Sequence, residues 1–422
     1  MRRMRIRLIG VLACVLPVAA ASLPTAKPEE VGMSSERLAR IHEMVMRHIE
    51  AHDISGAVTM VARRGKLVHY EAHGLMDIEA NKPMAKDAIF RLASSSKPVT
   101  AAAILMMMEE GKLKLTDPVG KYIPEFRNSK VAVETVRAEI PMADGRPPAE
   151  KYHTVPANHD ITIIDLLTHT SGLASGGITN ADSQKLYETR KPTDTLADFV
   201  PRLGGLALDF EPGTRWHYSP LAGFDTLGRI VEVVSGMTFD RFLRERLFEP
   251  LGMTDTGFNV PDKDAARVAP IYDRTAHGLE KREPPASFGT RAYFSGAAGL
   301  HATASDYLMF AQMLCNGGVL NGHRILSPWT VSTMMSNNVG TLFDGQSGRP
   351  PKGMGFGLGG EVVLNAVEAR MRKPDGSYGW DGAFGTYWWV NRKEQMAVVL
   401  FVTSGRSMQY DFDNAVAQAV VE

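Results

Sequence analysis

The chain has 422 residues, 47 basic and 47 acidic side chains, and a formal net charge of zero. That balance leaves no electrostatic footprint for nucleic acid or for an anionic membrane surface. A 44% hydrophobic and 22% charged composition is ordinary for a soluble globular protein, and the length exceeds one ordinary core, so two domains or one domain with an insertion are expected.

Arg2, Arg3, Arg5 and Arg7 precede an apolar run over 8–21 that is too short to span a bilayer comfortably. Ala19-Ala20-Ala21 offers a small-residue cleavage site before Ser22. Residues 1–21 therefore read as a signal peptide, and the protein as periplasmic or secreted, with no membrane span in the mature chain. Cys14 leaves with that peptide. Cys315 remains alone, inside an apolar helical pattern over 307–315, and reads as a buried small hydrophobe.

Ser34 or Ser35 can cap a helix that carries Leu38, Ile41, Val45 and Ile49 at helical spacing. Residues 56–64 and 66–74 alternate around Arg64-Gly65, which predicts an antiparallel hairpin. Pro98 suits the first turn of a helix. The stretch 101–108 is apolar nearly all round, as in a helix buried on several sides, and Gly111 ends it. Residues 116–270 read as mainly helical, with helices in 161–167 and 227–234 and a polar insertion over 128–160. Strand patterns return at 385–390 and 396–403, around a polar turn at 391–394, and a last helix covers about 411–421. This order predicts an α+β protein. An antiparallel sheet built from 22–115 and 271–422 would be flanked by helices, with a helical domain, 116–270, inserted between them. Active sites favour such junctions.

Ser94-Ser95-Ser96-Lys97 is the one Ser-x-x-Lys in the chain. A serine hydroxyl needs a base close by to act as a nucleophile. A lysine three residues later on a helix lies on the same face, and a desolvated lysine can take the serine proton. The spacing therefore points to an acyl-serine enzyme, with the nucleophile at a helix N-terminus.

Four segments extend that pattern. They are Phe90-Arg91-Leu92-Ala93-Ser94-Ser95-Ser96-Lys97, Leu166-Leu167-Thr168-His169-Thr170-Ser171-Gly172-Leu173, Glu211-Pro212-Gly213-Thr214-Arg215-Trp216-His217-Tyr218-Ser219, and Gly379-Trp380-Asp381-Gly382-Ala383-Phe384-Gly385-Thr386-Tyr387. In content, order and spacing the chain resembles serine β-lactamase-related proteins: class C β-lactamases, D-alanyl-D-alanine carboxypeptidases and family VIII carboxylesterases. The resemblance implies a β-lactamase/transpeptidase-like fold. It implies Ser94 as the acylated nucleophile, and Lys97 and Tyr218 as proton-transfer partners, with the kinetic base left open between them. It implies an oxyanion hole from the amides of Ser94 and Ala383, and a third motif at Trp380, Asp381 and Gly382 that meets substrate. It calls for no cofactor and no metal.

The departures from that family carry information. Its third motif is Lys-Thr-Gly, whose lysine helps hold a substrate carboxylate. Here an aromatic and an acid, Trp380-Asp381, stand in that place. Its second motif, Tyr-x-Asn, ends here on Pro220. Both changes favour a small neutral ester over a β-lactam or a D-alanyl terminus, although Arg215 or Arg291 can still supply a cation. A β-lactamase or D-Ala-D-Ala carboxypeptidase is the alternative within the same chemistry. A silent binder of cell-wall peptides is the alternative outside it, and the full set of catalytic residue types argues against that. No Gly-x-Ser-x-Gly elbow is present. His169 is a weak candidate for a Ser-His-Asp triad, and His48 with His52 for a zinc pair without a third ligand.

Overall fold

The computed structural model describes residues 22–135, 152–284, 291–343, 352–405 and 408–422. The expected signal peptide, 1–21, and the middle of the 128–160 insertion lie outside the described residues. The described ends of that insertion form a hairpin, Lys130–Glu134 with Tyr152–Pro156.

Eight strands make one antiparallel sheet: β1 (Gly56–Arg63), β2 (Lys66–Asp77), β3 (Lys82–Pro83), β4 (Met354–Phe356), β5 (Glu361–Val363), β6 (Tyr378–Asp381), β7 (Thr386–Asn391) and β8 (Met396–Val402). The order across the sheet is β4-β5-β6-β7-β8-β1-β2-β3. The β1–β8 pairing thus joins the two ends of the chain at the sheet centre, with Ala57 opposite Val402 and Arg63 opposite Met396.

Alternation sorts the strand residues onto two faces. Val58 and Met60 of β1, Trp388 of β7 and Val399 and Phe401 of β8 join one core. Over it lie α2 (Ser96–Glu109), α3 (Ala222–Ser235) and α4 (Ala304–Cys315), after α1 (Arg40–Glu50) in chain order. Helix α2 buries residues on every side, as its unbroken apolar run requires. Ala57, Val61, Tyr387, Trp389, Val398 and Leu400 join the other core, beneath α1 and α5 (Gln409–Ala417).

The first helix is split. Ser34 caps a short turn, Ser35–Leu38, by accepting from Arg37 N, and α1 begins after Ala39. Cys315 is buried, its thiol donates to the Asn391 and Met396 carbonyls, and burial pushes its pKa up to about 12. It is an inert packing residue.

Candidate active site

Ser94 sits in a single 3₁₀ turn, Ala93–Ser95, that runs into α2. The preceding Ala93 has φ 45°, a left-handed backbone that costs a residue with a Cβ about 1–2 kcal/mol. Bonds on both sides hold the strained turn in place. Leu92 N donates to the Leu300 carbonyl (2.8 Å), Thr386 Oγ1 of β7 donates to the Leu92 carbonyl (2.9 Å), and the Ser95 and Thr386 hydroxyls lie 3.0 Å apart. Ser94 itself stays half-buried, so its hydroxyl is reachable.

Lys97, one turn on, is fully buried. Its Nζ donates to Ser94 Oγ (3.0 Å) and to the carbonyls of Pro220 (2.8 Å) and Ala297 (3.0 Å). Tyr218 OH donates to the same Ser94 Oγ at 2.6 Å, and Lys97 Nζ lies 4.9 Å from the Tyr218 ring centre. The three side chains singled out in the sequence thus meet at one oxygen.

The carbonyl that anchors Lys97 has its own support. Asp225 of α3 is buried and accepts from Ser295 Oγ (2.6 Å), Tyr293 OH (2.9 Å) and Ala297 N (3.1 Å), which fixes the Ala297 peptide. Burial raises the Asp225 carboxyl above the usual range, and the three donors and Lys97 oppose that rise. Gly296 lets this loop approach α3, since a Cβ there would meet the Phe224 carbonyl oxygen at 2.5 Å.

Tyr218 is held by rings. His169 lies 4.5 Å from it and Trp380 5.6 Å, and Phe356 packs on both neighbours. His169 accepts from Ser219 N at Nδ1, makes no hydrogen bond to Ser94 among the described residues, and is kept neutral chiefly by burial. It is a wall for Tyr218, not a triad member. His48 pairs with Asp53 and Asp411, and His52 is exposed, so the two form no metal group.

The third motif ends β6. Trp380 and Asp381 are 2% and 1% exposed. Trp380 faces Tyr218, and Asp381 takes a bond from Gln409 of α5. Gly382 has a packing role as well. A Cβ there would lie 2.2 Å from both the Leu92 carbonyl oxygen and Thr386 Oγ1, so glycine lets β6 close against the turn that carries Ser94. That contact sets Ala383 beside the nucleophile segment. Ala383 is exposed, and neither its amide nor that of Ser94 donates to a described backbone group. Of the two spare arginines, Arg291 pairs with Asp262 on the surface and Arg215 is exposed.

A cleft of about 520 Å³ opens beside Pro220. Leu221, Ala222 and Ala174 give it apolar walls, with Asn180 and Gln184 among its polar groups. Another, of about 270 Å³, runs along Ala383 and Phe384 past Arg274 and Arg282.

A family model described as beta-lactamase matches residues 41–422, and the chain belongs to that family. Protein Rv1367c of Mycobacterium tuberculosis is 36% identical over 382 residues, covering 86% of this chain and 89% of its own. Esterase EstB of Burkholderia gladioli is 31% identical over 411 residues, covering 91% and 94%. A solved structure titled EstCE1, a hydrolase with promiscuous acyltransferase activity, matches with a TM-score of 0.74 at 28% identity, over 92% of this chain and 99% of its own. The chain is a serine hydrolase with the β-lactamase/transpeptidase-like fold.

Proposed function

We propose that this protein is a carboxylesterase that works through an acyl-enzyme on Ser94. The observation that carries the reading is the placement of Lys97 Nζ and Tyr218 OH at 3.0 and 2.6 Å from one serine oxygen. Two carbonyls, Pro220 O and Ala297 O, take two of the Lys97 hydrogens. An amine so held points its remaining tetrahedral position at Ser94 Oγ, the position a base needs.

In the proposed reaction the ester carbonyl oxygen lies between the amides of Ser94 and Ala383. Ser94 Oγ attacks the carbonyl carbon as its proton passes to Lys97 or Tyr218, and the negative charge that forms on oxygen is met by the two N–H groups. Tyr218 protonates the leaving alkoxide, the C–O bond breaks, and an alcohol departs. Water then attacks the acyl-Ser94 carbonyl as its proton passes to Lys97 or Tyr218, the acyl C–Oγ bond breaks, Ser94 Oγ takes that proton back, and the acid departs.

Neutral esters are favoured over β-lactams and D-alanyl peptides for two reasons. No lysine stands in the third motif, where Trp380 is buried against Tyr218. No asparagine stands at 220, where the chain supplies only the carbonyl bound to Lys97. The similarity to an esterase from Burkholderia gladioli supports the same choice. We also propose export, on the basic and apolar start of the chain. Sequencing of the mature N-terminus is expected to begin at Ser22.

The test is a pair of measurements on the full chain. A short p-nitrophenyl ester is expected to turn over faster than a cephalosporin, and a phosphonate probe is expected to add its mass to the peptide that carries Ser94. Faster cephalosporin turnover would reverse the substrate class, and labelling at another residue would remove the mechanism.

A further inference from the structure

His69, Glu71 and His73 alternate along β2, so their side chains share one face of the sheet. They pair with Val61, Thr59 and Ala57 of β1, and Ala57 and Val61 belong to the core beneath α1. This is the face away from α2. Helix α1 brings His42 over the same place, with its ring centre 5.3 Å from that of His73.

The ligating atoms of His42, Glu71 and His73 all lie within 4.8 Å of one another. His42 Nδ1 is 2.6 Å from Glu71 Oε1, and His73 Nδ1 is 3.8 Å from the same oxygen. His73 is 3% exposed, and its Nδ1 has no hydrogen-bond partner among the described residues. A buried polar atom left unmatched costs about 1–3 kcal/mol. The other ring nitrogen is engaged: Nε2 lies 2.9 Å from Thr59 Oγ1, which in turn lies 2.7 Å from His69 Nε2.

We propose that His42 Nδ1, Glu71 Oε1 and His73 Nδ1 bind one zinc ion, with water in the fourth position. Two imidazole nitrogens and one carboxylate suit zinc better than magnesium or calcium, which take oxygen ligands. Bonds of about 2.0–2.1 Å in a tetrahedron set ligand atoms roughly 3.3 Å apart. The 2.6 and 3.8 Å separations bracket that value, so small side-chain shifts admit the ion. Half-exposed His42 and Glu71 side chains supply both the freedom and the entry path. The outer hydrogen bonds fit as well. His73 Nε2–H donates to Thr59 Oγ1, and the Thr59 hydrogen goes to His69 Nε2, which leaves the His73 lone pair on Nδ1. The bound ion would pin α1 to β2 and take no part in the chemistry at Ser94.

The test uses the full chain, stripped with a chelator and titrated with Zn²⁺ in a calorimeter. The wild type is expected to take up one ion per chain and to unfold at a higher temperature when loaded. Co²⁺ in place of zinc is expected to give the strong visible bands of a tetrahedral site. His42→Ala and Glu71→Gln, both at half-exposed positions, are expected to lose this binding while keeping the wild-type far-UV dichroism. Thr59→Val is expected to weaken it by about 10–100-fold. No zinc uptake by the wild type, or uptake unchanged in His42→Ala and Glu71→Gln, overturns the proposal.

Discussion

The two faces of the sheet hold polar side chains on different terms. On the face toward α2, Lys97 directs its three bonds at Ser94 and at two carbonyls from distant loops, and Asp225 secures one of those loops. On the face beneath α1, His73 is as deeply buried but keeps an unmatched ring nitrogen beside a half-exposed histidine and glutamate. The Lys97 bonds all end on protein atoms and include the one oxygen that must react. On the second face, no described residue matches the His73 nitrogen.

The largest effect that tests this contrast comes from removing the reactive oxygen. Ser94→Ala is expected to lower ester turnover on the order of 10⁶-fold and to abolish phosphonate labelling, with the dichroism spectrum unchanged. Residual turnover within tenfold of wild type would remove Ser94 from the mechanism. Tyr218→Phe is expected to cost less, about 10²–10⁴-fold in kcat with KM little changed, because the ring keeps its contacts with His169 and Trp380 and only the proton path is lost. If kcat is unaffected, Lys97 alone serves as acid and base. Asp225→Ala acts one step back. It frees the Ala297 peptide and leaves Ser295, Tyr293 and the Ala297 N–H unmatched. About a 10–100-fold loss in kcat is expected from misplacing Lys97, with about 1–3 kcal/mol of stability lost in denaturant unfolding. Equal loss of stability with full kcat would make Asp225 a core residue only.

How much of this was legible in the sequence follows from how local each feature is. The Ser94–Lys97 pair is three residues apart and needs only a helical turn, and the hairpin of β1 and β2 needs only alternation around Arg64-Gly65. The carbonyls of Pro220 and Ala297 lie 123 and 200 residues from Lys97, and a backbone oxygen leaves no mark in a residue pattern. Tyr218 was found through the resemblance of its motif. Trp380 and Asp381 were expected at the substrate through the same resemblance, as its third motif. Their packing, Trp380 against Tyr218 and Asp381 toward α5, shows only in the folded β6. His69, Glu71 and His73 show their shared face in the sequence, but His42 joins them only when α1 packs on β2, and no spacing rule covers 29 residues.

The smallest effects sort the two sides of the sheet by pH. His301, paired through its strand with Ile89–Arg91 on the catalytic side, is pushed down to about 4 by burial and by Arg91. Its unfolded value is near 6.5, so its contribution to stability is present above that pH and is lost as pH falls toward 4. Asp413 of α5 sits beneath the opposite face, where it accepts from Tyr387 OH (2.7 Å) and Trp389 Nε1 (2.8 Å), and burial pushes it up to about 6. Its unfolded value is near 3.9, so its contribution has the other sign: it is present at low pH and is lost as pH rises through 6. Removing each group should tilt the stability curve in opposite directions. Between pH 4 and 6, His301→Gln is expected to lose on the order of 2–3 kcal/mol relative to wild type as pH rises, and Asp413→Asn to gain a similar amount. Urea unfolding at a series of pH values measures both tilts. Two variants whose curves run parallel to wild type would mean that neither group changes its proton affinity on folding, and the two faces would then differ in ligands alone.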